Sequence, residues 1–255
     1  MTEPALLEAD GRRLAHVTTP GAAPHVVFCA GFRSDMEGGK ALALEADCRA
    51  RGRGFTRFDY SGHGRSSGRF EDGTIGAWAE DAVAVMDGVM QGPLVLVGSS
   101  MGGWIMLLAA LARPERVRGL VGIAAAPDFT EDLIWNAATP AQQAELADHG
   151  VHYEPSDYAD EPTPITLRLI EEGRAHLVLR APLPISCPVH LIHGQKDPDV
   201  PWETSLRLAA HVASEDVTVE LIKDGEHRLS RDGDIARIVG AVDRIARQVA
   251  VAVAP

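Results

Sequence analysis

Short, almost wholly apolar runs recur along this chain, with helical patterns between them. They are His25–Ala30, Phe55–Tyr60, Pro93–Gly98, Val117–Ala124, Pro188–His193 and Val217–Ile222. The segments 37–51, Thr74–Met90, Trp104–Ala112, 201–214 and 233–249 carry helical spacing; in the second, Ile75, Trp78, Ala82, Val83 and Met86 share one face. A strand that is apolar throughout must be covered on both faces. Alternation of such strands with helices therefore predicts an α/β fold, a mostly parallel sheet with helices on both sides. A length of 255 residues suits one large domain or two small ones.

The rhythm breaks between Ala126 and Pro188. Two helix openings are expected inside that interval. Thr139-Pro140 leads into a segment that stops at Gly150, and Thr163-Pro164 into one that stops at Gly173. The interval also carries Phe129, Leu133, Ile134, Trp135, Ile165, Leu167, Leu169, Ile170, Leu177 and Leu179. That is enough apolar surface to roof an acyl-chain pocket, although most of it is expected to pack the segment onto the domain. A long insertion in a compact α/β domain is usually functional. Residues 127–182 are read as a lid within one domain spanning 1–255.

Gly98-Ser99-Ser100-Met101-Gly102 joins an apolar strand to a helix. A G-x-S-x-G turn in that context is a nucleophile elbow: the glycines allow a tight turn, and the serine projects from the sheet at the positive end of a helix dipole. The alternative is a plain Gly-Ser loop. A serine hydroxyl is a weak nucleophile near neutral pH and needs a base and an orienting acid. The turn resembles that of the α/β hydrolases, whose chain order is Ser, then Asp or Glu, then His. By that order His16, His25 and His63 come too early, and His149, His152 and His176 lie in the insertion. His190 and His193 sit on a strand and His211 in a helix, where structural roles are expected. His227, after the last strand, is the candidate base. The acid comes from His193-Gly194-Gln195-Lys196-Asp197-Pro198-Asp199, with Asp197 favoured and Asp199 the alternative. Backbone N–H groups of Met101 and of Phe32, in the loop Gly31-Phe32-Arg33-Ser34, are the candidate oxyanion donors; an ordinary turn at 31–34 is the alternative. Trp104 and Trp202 adjoin these motifs and are candidate pocket residues, or core.

Further motifs strengthen the resemblance. Asp59-Tyr60-Ser61-Gly62-His63-Gly64-Arg65-Ser66 looks like the D-x-x-G-x-G-x-S turn of α/β hydrolases, and His193-Gly194-x-x-Asp197-x-x-Val200-Pro201 looks like their acid loop. More narrowly, Arg57–Gly62, Leu96–Trp104, His193–Asp197 with Val200-Pro201-Trp202, and His227-Arg228 are similar to a branch of palmitoyl-protein thioesterases and mycophenolic acid acyl-glucuronide esterases. The likeness runs from about residue 25 to 245 and is weak in the insertion. It implies an α/β-hydrolase fold and a serine esterase or thioesterase that works through an acyl-enzyme. Ser100, Asp197 and His227 take the family roles, and no cofactor or metal is needed. Serine at the elbow excludes dehalogenases and epoxide hydrolases, which use Asp there. A serine aminopeptidase on the same triad, or a non-catalytic binding protein on the same fold, are the alternatives.

Charge and cysteines bound the partners. With 36 acidic against 24 basic residues the net charge is −12, which argues against nucleic acid and anionic membranes, since both are bound largely through Lys and Arg. A small-molecule or acylated-protein substrate fits; stable membrane insertion does not. The oligomeric state is not readable. Cys29, Cys48 and Cys187 make neither a metal pair nor a disulfide framework. With an acidic N-terminus lacking signal-peptide character, and no trace of the mitochondrial leader of eukaryotic family members, a cytoplasmic protein is expected. Much of the charge falls in residues 127–182, where eleven acids face three arginines, a net of −8. A solvated surface explains it simply; acids around an entrance would instead disfavour anionic substrates.

Overall fold

In a computed structural model the structure describes residues 3–155 and 161–252; Asp157 and Asp160 of the acidic count lie outside them. Two strands precede the expected set. β1 (Ala5–Ala9) and β2 (Arg12–Thr19) pair antiparallel around Asp10-Gly11, both with positive φ, the two-residue turn that matches strand twist. β3 (Ala22–Cys29), α1 (Gly39–Ala50), β4 (Arg53–Phe58), α2 (Ile75–Val89), β5 (Leu94–Ser99), α3 (Met101–Ala112) and β6 (Val117–Ile123) follow. The insertion holds α4 (Pro140–His149), β7 (Val151–Glu154), β8 (Thr163–Thr166) and α5 (Leu167–Gly173), and after it come β9 (Val189–Gly194), α6 (Glu203–His211), β10 (Val217–Ile222) and α7 (Asp232–Ala252).

The eight-stranded sheet runs β1-β2-β4-β3-β5-β6-β9-β10, parallel from β4 to β10 with an antiparallel edge at β1 and β2. This is the expected α/β-hydrolase architecture. α1 and α7 pack together, as do α2 and α3. β5 is buried along its whole length, so its run Leu94-Val95-Leu96-Val97 needs apolar residues on both faces. Trp78, Trp104, Phe55, Phe58 and Tyr60 are the largest fully buried side chains.

The insertion has its own order. A π-helical turn spans Thr130–Trp135. α4 (Pro140–His149) begins at Thr139, whose side chain accepts from Gln142 N while Gln142 Oε1 accepts from Thr139 N, and ends at Gly150 with φ 73°; that helix was legible from its caps. The second opening is not where the pattern placed it. Thr163–Thr166 is a strand, β8, paired with β7 (Val151–Glu154), and α5 (Leu167–Gly173) starts at Thr166, whose hydroxyl accepts from Leu169 N. Pro164 sits in a two-stranded ribbon, where a missing N–H is tolerated because each strand is an edge. Leu146, Ile165 and Ile170 form a small core here, packed on Phe32, Ile134 and Trp135. Among the described residues no helix is long and apolar enough to cross a membrane.

Candidate active site

Ser100 sits between β5 and α3 with φ 55° and ψ −122°, a region where a non-glycine backbone is strained and where strain gathers at functional sites. The turn is too tight for side chains on either flank. A Cβ on Gly98 would lie 2.3 Å from Gly102 O, and one on Gly102 would lie 2.1 Å from Cys29 O. Ser100 is half-buried at the carboxyl ends of the parallel strands, where ligands of open α/β sheets bind.

Its partners come from two adjoining loops that backbone bonds stitch together. Gln195 N donates to Ile222 O at 2.8 Å and Lys196 N to Gly225 O at 2.9 Å. These bonds tie the loop after β9 to the loop after β10, and so set Asp197 against His227. His227 Nδ1 donates to Asp197 Oδ2 at 2.8 Å, and the Ser100 hydroxyl meets His227 Nε2 at 3.0 Å. Asp199 is exposed, and its N–H donates to Asp197 Oδ1 at 2.9 Å, as does Val200 N.

The Asp197 carboxyl is fully buried. Burial by itself would raise its pKa, but the hydrogen bonds from His193 and His227, the charge of His227 and the Val200 amide hold it well below the usual carboxylate range. It is therefore ionised throughout the working pH range of a hydrolase, which suits it to fix an imidazole tautomer. Asp197, Asp199 and His227 bring potential ligand atoms within 4.8 Å of one another. In this arrangement, however, His227 Nδ1, the ring nitrogen that faces the carboxylates, carries the proton given to Asp197 and offers a cation no lone pair.

On the other side, Gly31–Ser34 closes a turn through Ser34 N to Gly31 O at 3.1 Å, with Arg33 at φ 55°. A Cβ on Gly31 would touch Ser100 Cβ at 3.4 Å, so this turn lies directly against the serine. Met101 is the first residue of α3, where amides have no intrahelical acceptor. Asp59 braces the same loop: its buried carboxylate accepts from Met36 N at 2.7 Å and Arg65 N at 2.8 Å. The Phe32 ring packs edge-on against Phe70, Trp78 and Phe129.

Two tryptophans adjoin these motifs. Trp104 has no exposed surface; it stacks edge-on with Phe129 and its indole N–H donates to His176 O at 3.0 Å, holding the insertion from below. Trp202 is half-buried at the start of α6. Sequence reasoning assigned His193 a merely structural place on its strand, yet it bonds Asp197 at 3.1 Å; the signal lay in the i, i+4 spacing of His193 and Asp197 around Gly194. All three cysteines are free thiols. Burial pushes the thiol of Cys29 up to about 12 and those of Cys48 and Cys187 to about 11, so none is a nucleophile near neutrality.

Residues 24–146 match the family model of the alpha/beta hydrolase fold. Human "palmitoyl-protein thioesterase ABHD10, mitochondrial" is 41% identical over 235 residues, covering 92% of this chain and 76% of the relative. Among solved structures, mouse alpha/beta hydrolase domain-containing protein 10 superposes with a TM-score of 0.91 at 39% identity, over 97% of this chain and all of the other. A putative hydrolase from Agrobacterium vitis does so at 0.92 and 42%, over 96% and 98%. The expected cytoplasmic location does not stand, because the curated relatives are mitochondrial proteins. Buried, reduced thiols suit any reducing compartment and so carry no address. This chain belongs to the α/β-hydrolase family, in the branch that contains ABHD10.

Proposed function

We propose that this serine hydrolase releases long acyl groups from cysteine thioesters of proteins, with related esters as secondary substrates. One observation carries the reading: His227 stands bonded between Ser100 and Asp197 at the carboxyl edge of the sheet. The 41% identity to ABHD10 palmitoyl-protein thioesterases supports the choice of acyl substrate.

In this mechanism Ser100 Oγ attacks the acyl carbonyl carbon while His227 Nε2 takes the hydroxyl proton, and Asp197 keeps the other ring proton on Nδ1. The amides of Phe32 and Met101 bind the oxyanion. Collapse of the tetrahedral species expels the thiol, which receives its proton from His227. Water, deprotonated by the same nitrogen, then cleaves the acyl-serine and restores the enzyme.

In the same reading the chain is one domain, with residues 127–182 as the lid over the acyl site. Trp202 forms a wall of that site, and Trp104 serves it from beneath by holding His176. Acylated peptides of graded chain length are the test. Palmitoyl-peptide thioester should turn over faster than its acetyl counterpart, and Ser100→Ala should abolish both activities. Cleavage of aminoacyl anilides with no thioester turnover would refute the proposal in favour of a peptidase.

A further inference from the structure

Ser205 on α6 has no place in the reaction, yet it is joined to it by one fully buried ring. His193 Nδ1 lies 2.7 Å from Ser205 Oγ, while Nε2 lies 3.1 Å from Asp197 Oδ2 and 3.1 Å from Val200 O. Nε2 faces two acceptors and so carries a ring proton, while Nδ1 is bonded to the Ser205 hydroxyl. The oxygen it reaches on Asp197 is the one that accepts from His227 Nδ1. Asp197 is thus saturated: Asp199 and Val200 amides bind Oδ1, and two imidazoles bind Oδ2.

We propose that His193 is a positioning residue for the hydrolysis, set in its tautomer by Ser205, and that it fixes the orientation and the strength of Asp197 as partner to His227. The proposal rests on the triad reading above. The two amides hold one edge of the planar carboxylate at Oδ1, and a rotation or tilt of the whole group would turn the catalytic ring away from Ser100. His193, a second donor to Oδ2 on the opposite edge, opposes that movement. It also spreads the charge on Oδ2, and the less charge that oxygen keeps, the less firmly a proton is held on His227. Three bonds on a ring with no exposed surface are more than packing requires, since an apolar side chain would fill the same space without needing Ser205, Val200 O and Asp197 to converge.

Kinetics on a soluble p-nitrophenyl ester test this with His193→Phe, His193→Gln, Ser205→Ala and Asp197→Asn, each checked for folding by thermal melting. H193F, which keeps the bulk and loses the donor, should lower kcat by about 10- to 100-fold with KM within about twofold. Its acid limb of kcat/KM should also move to higher pH, as Asp197 then holds the His227 proton more firmly. H193Q carries an N–H near the place of Nε2 and should restore most of kcat and the position of the limb. S205A should shift both in the direction of H193F, by a smaller amount. Wild-type kcat and limb in folded H193F, or in S205A if H193F does not fold, overturns the proposal. D197N separates the levels: if it is inactive while H193F is normal, only the role of His193 falls, whereas an active D197N removes the triad reading and this one with it.

Discussion

The strand-end loops and the insertion are held by different kinds of force. Ser100, Asp197 and His227 stand on turns whose backbones bond directly to the sheet or to each other: Ser100 N donates to Ile123 O at 2.9 Å, and the β9 and β10 loops are zipped amide to carbonyl. The insertion reaches the sheet through a few buried polar anchors and a shared apolar seam. Asp128, fully buried, closes the base of the insertion on itself, accepting from Val178 N at 2.7 Å and Leu179 N at 2.9 Å. Glu172 accepts from Gly76 N at the start of α2, and Trp104 donates to His176 O. Arg33, next to Phe32, donates to Pro162 O at 2.9 Å. The reacting groups are thus fixed by backbone bonds of the fold itself, whereas the insertion is held to it by side-chain contacts and a shared apolar seam. Phe32 belongs to both packing clusters and is where a movement of the roof would be felt at the reaction centre.

Substitutions can break that contrast, beginning with the loops. Asp197→Asn should cost a factor of about 10⁴ in kcat, because the imidazole loses the tautomer it needs, while Asp199→Asn should stay near normal; steady-state kinetics check both, and the reverse order would move the acid to Asp199. Asp128→Ala orphans two buried amides and should cost about 2–5 kcal/mol in urea unfolding. If the roof is separately anchored, its amides should exchange hydrogen faster while those of β5 and β9 stay protected.

Acid should act on the strand-end region. Burial in the ring cluster of Tyr60, Phe70 and Trp78 lowers the His63 pKa from 6.5 to about 4. Unfolding lets that imidazole take a proton, so the unfolded chain binds more protons between those values. The stability contribution is complete above about pH 6.5, falls as pH drops toward 4, and amounts to about 3 kcal/mol. His63→Phe should flatten this part of the stability curve; an unchanged slope would mean that other groups set it. The smallest effect is expected from Glu172→Gln, which keeps an acceptor for Gly76 N but weakens the pair with His176 at 2.7 Å. A few-fold change in KM for long-chain substrate with kcat unaltered would place this contact in the roof alone.

The sheet from β3 onward could be read along the chain because its signals are local: apolar runs, Thr74 capping α2 through Ala77 N, and the Thr139 and Gly150 ends of α4. The elbow and the order of Ser100, Asp197 and His227 were legible for the same reason. The N-terminal hairpin went unread although Asp10-Gly11 marked it. α5 was misplaced because Thr163-Pro164 has the chemistry of a helix start, and only its pairing with β7 makes it a strand. Glu172 with Gly76 and Trp104 with His176 join residues far apart in sequence, and no local pattern announces such contacts. The acidic balance of the insertion changes meaning for a similar reason. Glu131 pairs with Arg174 and Asp132 with Arg180, arginines that the net of −8 already includes, while Arg207 of α6 reaches Asp132 from outside the insertion, so which acids are met depends on contacts distant in sequence.

In the proposed mechanism a long acyl group is carried covalently on Ser100. Intact-protein mass spectrometry after rapid quenching of His227→Ala with a palmitoyl thioester tests it most directly, since loss of the base slows deacylation as well as attack. The expected result is a slowly forming adduct of one palmitoyl group, mapped to Ser100 by peptide sequencing and absent when Ser100→Ala is added. An adduct on another residue, or one that survives Ser100→Ala, would contradict the account.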